Sequence, residues 1–154
     1  MRKTARRYHK KGGKRGRARK TMKHEHMKGT KKSHIIRTFL DMLNVVKVYH
    51  WKTRSYAQHK ATDELYGRLN ENVDRFIEVL LGKDETRFKL FHETCRPIDT
   101  ANKHDFKERI YKYRSFLMDL NAHFDPHMDS DLLSLRDEIV ADVNQFLYLL
   151  TFDK

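Results

Sequence analysis

The sequence predicts an all-α protein. It is expected to be a four-helix bundle made of two antiparallel helical hairpins, joined by one long crossover and preceded by a disordered basic arm. Three observations predict this. Apolar residues recur at helical spacing in four stretches after residue 33. About four residues link the first stretch to the second and the third to the fourth, whereas about 20 separate the second from the third. The charge is also segregated. Residues 1–33 hold 15 Lys+Arg and one acid, Glu25, while residues 34–154 hold 18 Lys+Arg against 20 acids.

The arm, residues 1–33, has few large apolar residues and a dense like charge. Such a segment cannot bury enough surface to offset its ordering entropy. The body, residues 34–154, reads as one domain. Helix A is expected over about 33–51, with Ile36, Phe39, Leu40, Leu43, Val46 and His50 on one face. Helix B runs from about Ser55 to Leu81 and stops at Gly82 as a C′ glycine. Its stripe is Leu65, Leu69, Val73, Phe76, Ile77 and Leu80. The stretch 83–102 contains Pro97 and a short helical piece near 86–93. Helix C, about 103–124, carries Phe106, Ile110, Tyr113, Leu117, Leu120 and Phe124 in register, and Asp125-Pro126 breaks it. Helix D, about 129–151, is capped by Asp129 or Ser130 and carries Leu132, Leu135, Ile139, Val143, Phe146 and Leu150. Short links make each pair an antiparallel hairpin. Twenty residues can run the roughly 30 Å length of a 20-residue helix. That topology is the ferritin-like version of the bundle.

Composition removes several classes of function. The one cysteine, Cys95, allows neither an intrachain disulfide nor a cysteine-based zinc site. No apolar run approaches the roughly 18 residues of a membrane span. No secretory signal is expected, and the Lys-Gly character of the arm argues against a mitochondrial presequence. The arm is expected to contact DNA phosphates without reading base sequence, through Arg2, Lys3, Arg6, Arg7, Lys10, Lys11, Lys14, Arg15, Arg17, Arg19 and Lys20 acting together. A nuclear-import signal, an acidic protein partner and plain solubility are its other readings. His24-Glu25-His26 reads as exposed tail or chelate. His92, His104, His123 and His127 read as helix-end or surface groups; Tyr111, Tyr113 and Tyr148 as core or interface.

Helix B carries a second, polar stripe: His59, Asp63, Tyr66, Asn70, Asp74 and Glu78. The spacing keeps it on one face. His50 ends the apolar stripe of helix A. Imidazole and carboxylate donors suit iron, zinc or manganese. A solvated face is the plain alternative. His59 and Glu78 lie about 28 Å apart along a helix, too far to share an ion within one chain. An antiparallel second copy of helix B, pivoting near position 68, would place His59 and Asp63 beside Asp74 and Glu78 of its mate. One two-fold interface would then hold two equivalent sites. Gly67 lies close to that pivot.

The pair His50-Trp51, the segment from His59 through Asp63-Glu64-Leu65-Tyr66, and then Asp74 and Glu78 resemble the signature of the Dps proteins, or mini-ferritins. Residues 129–150 also resemble that family's last helix. The resemblance covers about 34–152. It implies that His50, Asp74 and Glu78 bind iron directly, and that His59 and Asp63 hold a second, weaker iron or its water. It puts Trp51 beside the site as an electron donor. It implies a ferroxidase that oxidises Fe(II), typically with hydrogen peroxide, in a homo-oligomer that reaches a dodecamer in the family, with a basic arm on DNA. It fits a cytoplasmic or DNA-associated location, or a virion, since compact basic relatives occur in large DNA viruses. The nine residues from His50 to His59 are fewer than the family's usual spacing. That departure favours a second reading: a DNA-packaging or capsid-associated scaffold without iron turnover. A helical adaptor with no metal is a third.

Overall fold

The computed structural model describes residues 15–83, 85, 87–88 and 103–152, with the backbone alone for 15–30. Four α-helices make up the described chain: α1 (Arg15–Lys52), α2 (Tyr56–Gly82), α3 (Lys103–Asp119) and α4 (Ser130–Leu149). A 3-10 turn, Leu120–Ala122, extends α3. No strand occurs among the described residues. Helix A begins earlier than its apolar stripe implies. Apolar periodicity is the signal that located helix A, whereas residues 15–33 hold eight Lys+Arg and few apolar residues, and Lys and Arg are good helix formers without giving an apolar period. Residues 15–33 of the expected disordered arm are a helical continuation of α1. Arg15, Arg17, Arg19 and Lys20 fall in that continuation. Arg2, Lys3, Arg6, Arg7, Lys10, Lys11 and Lys14 lie outside the described residues, as do His92, Cys95, Pro97 and most of the short helix expected near 86–93.

Side-chain contacts fix the directions. On α1 and α2, Phe39 meets Phe76 edge to face, while His50 meets His59. On α1 and α3, Tyr49 stacks on Phe106 and Phe39 meets Phe116. On α2 and α4, Arg68 donates to Gln145 (2.6 Å), Asn72 to Asp142 (2.9 Å) and Lys83 to Asp129 (3.0 Å). Phe106 of α3 meets Phe146 of α4. In every pair one number rises as the other falls, so each adjacent pair is antiparallel. It follows that α2 and α3 run in the same direction.

The core is one cluster. Phe39, Phe76, Phe106 and Phe146 are fully buried, one from each helix. The stripes read from sequence on α2, α3 and α4 are its contents, with Ile77 and Phe124 at its edge. Helix α1 is a correction. Ile35, Met42, Val45 and Tyr49 join the core, whereas Leu40 is 40% exposed and Leu43 is only partly buried. The α1 stripe is rotated because two neighbours, α2 and α3, cover it from different sides.

Helix ends follow local chemistry. Ser55 caps α2, its hydroxyl accepting from Gln58 N–H (3.3 Å). Gly82 does not act as a left-handed C′ residue: it is the last helical residue, and the left-handed position beyond it is Glu85 (φ 54°). Asp129 is the N-cap position of α4, but its carboxylate serves elsewhere. It accepts from Asp125 N–H (2.9 Å) and from Lys83, whose ammonium also bonds Asp131 (2.9 Å). That ammonium, with the Leu132 N–H, holds the Asp131 carboxyl below its ordinary range. Arg136 is buried and ties α4 to the end of α3 through the Leu117 carbonyl (3.1 Å) and Asn121 Oδ1 (2.8 Å).

Tyr113 supplies a pH test of this core. Its hydroxyl donates to Asp41 Oδ2 (2.6 Å). Burial, then the Asp41 carboxylate, push its pKa well above the ordinary value of 10.0, although Arg109 opposes the shift. A raised folded-state pKa gives stability that is present below the unfolded value and lost as pH climbs beyond it. Wild-type stability should thus fall more steeply above pH 10 than that of Tyr113→Phe. The variant should cost about 1.5–3 kcal/mol at neutral pH, the range for a hydrogen bond to a charged group. Urea melts of both proteins at neutral pH and at successive pH values above that of a free tyrosine check both expectations.

Candidate metal centre

The link between α1 and α2 is only Thr53–Ser55, and it is pinned from several sides. Tyr49 and Thr53 hydroxyls both donate to Gln58 Oε1, the second at 2.9 Å. The Ser55 N–H donates to Thr53 Oγ1 (3.2 Å). This tight corner brings the last turn of α1 against the first turn of α2. The short spacing from His50 to His59 therefore joins the two rings instead of separating them. They stack with centroids 3.9 Å apart and planes 22° from parallel.

The histidine pair is cross-latched. His50 Nδ1 lies 3.0 Å from the His59 carbonyl oxygen, and His59 Nδ1 lies 3.1 Å from the His50 carbonyl oxygen. A carbonyl only accepts, so each ring donates through Nδ1–H. Thr62, which donates to the Gln58 carbonyl (2.7 Å), stands 3.3 Å from His50 Nδ1. With Nδ1 protonated, the neutral ring presents its lone pair at Nε2. This is how backbone carbonyls orient histidine ligands toward metals. His50 is buried and His59 is exposed, so the pair opens to solvent on one side.

Asp63 lies one turn beyond His59. Its Oδ1 is 3.8 Å from His50 Nε2 and 3.9 Å from Lys47 Nζ. The Lys47 ammonium also sits 4.5 Å over the Tyr66 ring and 5.9 Å from the Trp51 ring. Trp51 is 70% exposed. Asp74 and Glu78 are exposed farther along α2, about 16 and 22 Å beyond Asp63 by helical rise. The structure thus brings together His50, His59 and Asp63, and leaves Asp74 and Glu78 apart from them. Among the described residues, no group of three or more His, Cys, Asp or Glu is placed to hold one ion. The donor types fit a divalent first-row ion. Within one chain their convergence does not.

The polar stripe lies on the side of α2 next to α1, away from the seam that Arg68, Asn72 and Arg75 make with α4. The pairs His59/Glu78 and Asp63/Asp74 are both centred midway between Arg68 and Leu69. Gly67 beside that point has open space above it: an added Cβ would meet nothing within 4 Å. Exposed Leu40 and Trp51 border the same face from α1.

Sequence reasoning did not single out Lys47, Gln58 or Thr62. Lys47 did carry a signal, since it precedes His50 by three residues and so shares its face. The roles of Gln58 and Thr62 depend on the corner closing, which no spacing announces. Of the tyrosines expected in core or interface, Tyr113 is core, whereas Tyr111 and Tyr148 are exposed. His104, His123 and His127 are exposed, as expected of surface groups. Among the described residues, no helix is long and apolar enough to cross a membrane.

A protein family of unknown function, DUF5856, matches residues 50–150. No curated protein matches the chain, and no solved structure does.

Proposed function

This chain belongs to the DUF5856 family, whose function is unknown, and we propose that it is a ferritin-like, Dps-type iron-binding protein. Its iron site would be completed between two copies of the chain. The observation that carries this reading is the cross-latched histidine pair, which frees both Nε2 atoms and sets that of His50 3.8 Å from the Asp63 carboxylate. The shared centre of the His59/Glu78 and Asp63/Asp74 pairs supports the second half. A two-fold axis through that point sets His50, His59 and Asp63 of one copy opposite Asp74 and Glu78 of the other. Parallel α2 and α3, each antiparallel to its own hairpin mate, is in keeping with the helix directions of ferritin-like bundles.

The chemistry is the oxidation of bound Fe(II), the substrate. Two Fe(II) ions give two electrons to one hydrogen peroxide; the O–O bond breaks, and two protons are taken up to form two waters. The histidines would position the ions, and the carboxylates would favour the harder Fe(III) product. Trp51, exposed beside His50, would be a nearby electron donor. Zinc or manganese would suit the same donors. Anaerobic Fe(II) loading followed by peroxide, with Glu78→Ala beside the wild type, tests the reading through ferric absorbance.

The arm is the proposed nucleic-acid tether, in keeping with a location on DNA. Fifteen Lys+Arg in residues 1–33 would release counterions from phosphates. Deleting 1–33 should abolish retardation of duplex DNA in gels. Binding by the full chain should weaken steeply with salt, by on the order of 10³-fold or more between about 50 and 200 mM. Retardation by the truncated chain would refute the tether.

The Lys47–Asp63 contact favours a second reading, a DNA-packaging scaffold without iron turnover, because the carboxylate already has a cation beside it. Unchanged oxidation in Glu78→Ala, at the rate of iron in buffer alone, would decide for the scaffold.

A further inference from the structure

We propose that Lys47 is the resident counter-ion of this site, and that a divalent metal ion enters by displacing its ammonium group. The proposal rests on the metal-binding reading above. One carboxylate oxygen, Asp63 Oδ1, faces two groups: His50 Nε2 at 3.8 Å and Lys47 Nζ at 3.9 Å. The gap to His50 is one that two metal–ligand bonds of about 2 Å can span. An ion seated there would confront the ammonium across the same oxygen. The Lys47 side chain is 29% exposed, so solvent screens that repulsion only in part.

The structure also supplies a second seat for the ammonium. Lys47 Nζ now lies 4.5 Å over the Tyr66 ring and 5.9 Å from the centre of the Trp51 ring. Aromatic faces of this kind attract ammonium groups. The side chain can therefore move from the Asp63–Tyr66 seat toward Trp51 while keeping an aromatic partner. With Lys47 in its first seat, Asp63 is charge-balanced while no metal is bound.

The exchange makes the site selective. An incoming ion must gain enough from the imidazole lone pairs to offset the lost Lys47–Asp63 contact. Iron and zinc gain from nitrogen donors. Magnesium, a hard cation that dehydrates reluctantly, gains little. Lys47 would thus be a specificity-determining residue, although it touches no metal.

Zinc(II) added to the full chain tests the exchange without turnover, with titration calorimetry for affinity and Trp51 emission for movement. Trp51 is the sole tryptophan, so its signal is unmixed. Only binding lost in His50→Ala counts as binding at this site. Lys47→Met and Lys47→Gln should bind zinc tighter by on the order of 10–100-fold, the range that groups around metal ligands command. Zinc should shift Trp51 emission in the wild type, with much less effect in either variant. Magnesium should do neither. Unchanged affinity in both variants, with zinc binding still dependent on His50, would overturn the exchange and leave the metal site standing. Absence of His50-dependent binding in wild type and variants alike would overturn both. A second variant guards against a folding defect in the first.

Discussion

Mixed dimers of Asp74→Ala and His50→Ala subunits should recover Fe(II) oxidation that neither parent shows. Each parent homodimer would lack a ligand in both of its sites. Its rate should fall by on the order of 100-fold or more, above the roughly 10–100-fold that outer-shell groups command. In the mixed dimer, one site combines the intact His50, His59 and Asp63 of one subunit with the intact Asp74 and Glu78 of the other. The second site collects both lesions. Verified mixed dimers should therefore show about half of the wild-type rate per dimer, as two equivalent sites on a two-fold axis require. The geometry makes this test sharp. Asp63 and Asp74 are separated by three turns of one rigid helix, so no side-chain motion within a chain brings them onto one ion. No recovery would sink the shared site.

Phe39→Ala should be the most destabilising single truncation on α1, at about 3–5 kcal/mol. Phe39 is fully buried and meets Phe76 of α2 and Phe116 of α3 edge to face. Its loss opens a cavity where three helices meet, and close-packed helices collapse into such a space only partly. The melting temperature should drop by about 10 °C or more. Leu40→Ala, one residue on, should stay within about 0.5 kcal/mol, because Leu40 is on the open face. Thermal melts of the two variants side by side check the assignment of faces. Equal losses would mean that α1 is rotated from the position described.

Those neighbouring residues also show where sequence reasoning succeeds and where it stops. On α2, α3 and α4 the 3.6-residue recurrence of Leu, Ile, Val and Phe named the buried residues almost completely. One stripe buried between two neighbours gives a clean period. On α1 the run Ile35, Ile36, Phe39, Leu40, Met42, Leu43, Val45, Val46 is apolar on more than half the helix. Periodicity alone does not say which edge turns outward, and the structure turns Leu40 outward. The N-terminal extension of α1 is illegible for the opposite reason, since its sequence is too poor in apolar residues to show a period. The candidate site divides in the same way. His59, Asp63, Asp74 and Glu78 share a face of α2 by spacing alone. Lys47 carried a spacing signal too, but its meaning depends on what stands across the groove.

By itself the sequence determined four elements, their order, the start of the second helix near Ser55 and the separation of a basic arm from a near-neutral body. These follow from residues close to one another in the chain, where helical geometry is fixed and local propensities add. Only the tertiary structure decided that His50 and His59 latch each other's carbonyls, that Asp63 Oδ1 stands between His50 Nε2 and the Lys47 ammonium, and that Leu40 and Trp51 border an open face. These contacts depend on how α1 and α2 settle against each other around a three-residue corner. That setting comes from side-chain packing across the whole interface, which no local spacing encodes.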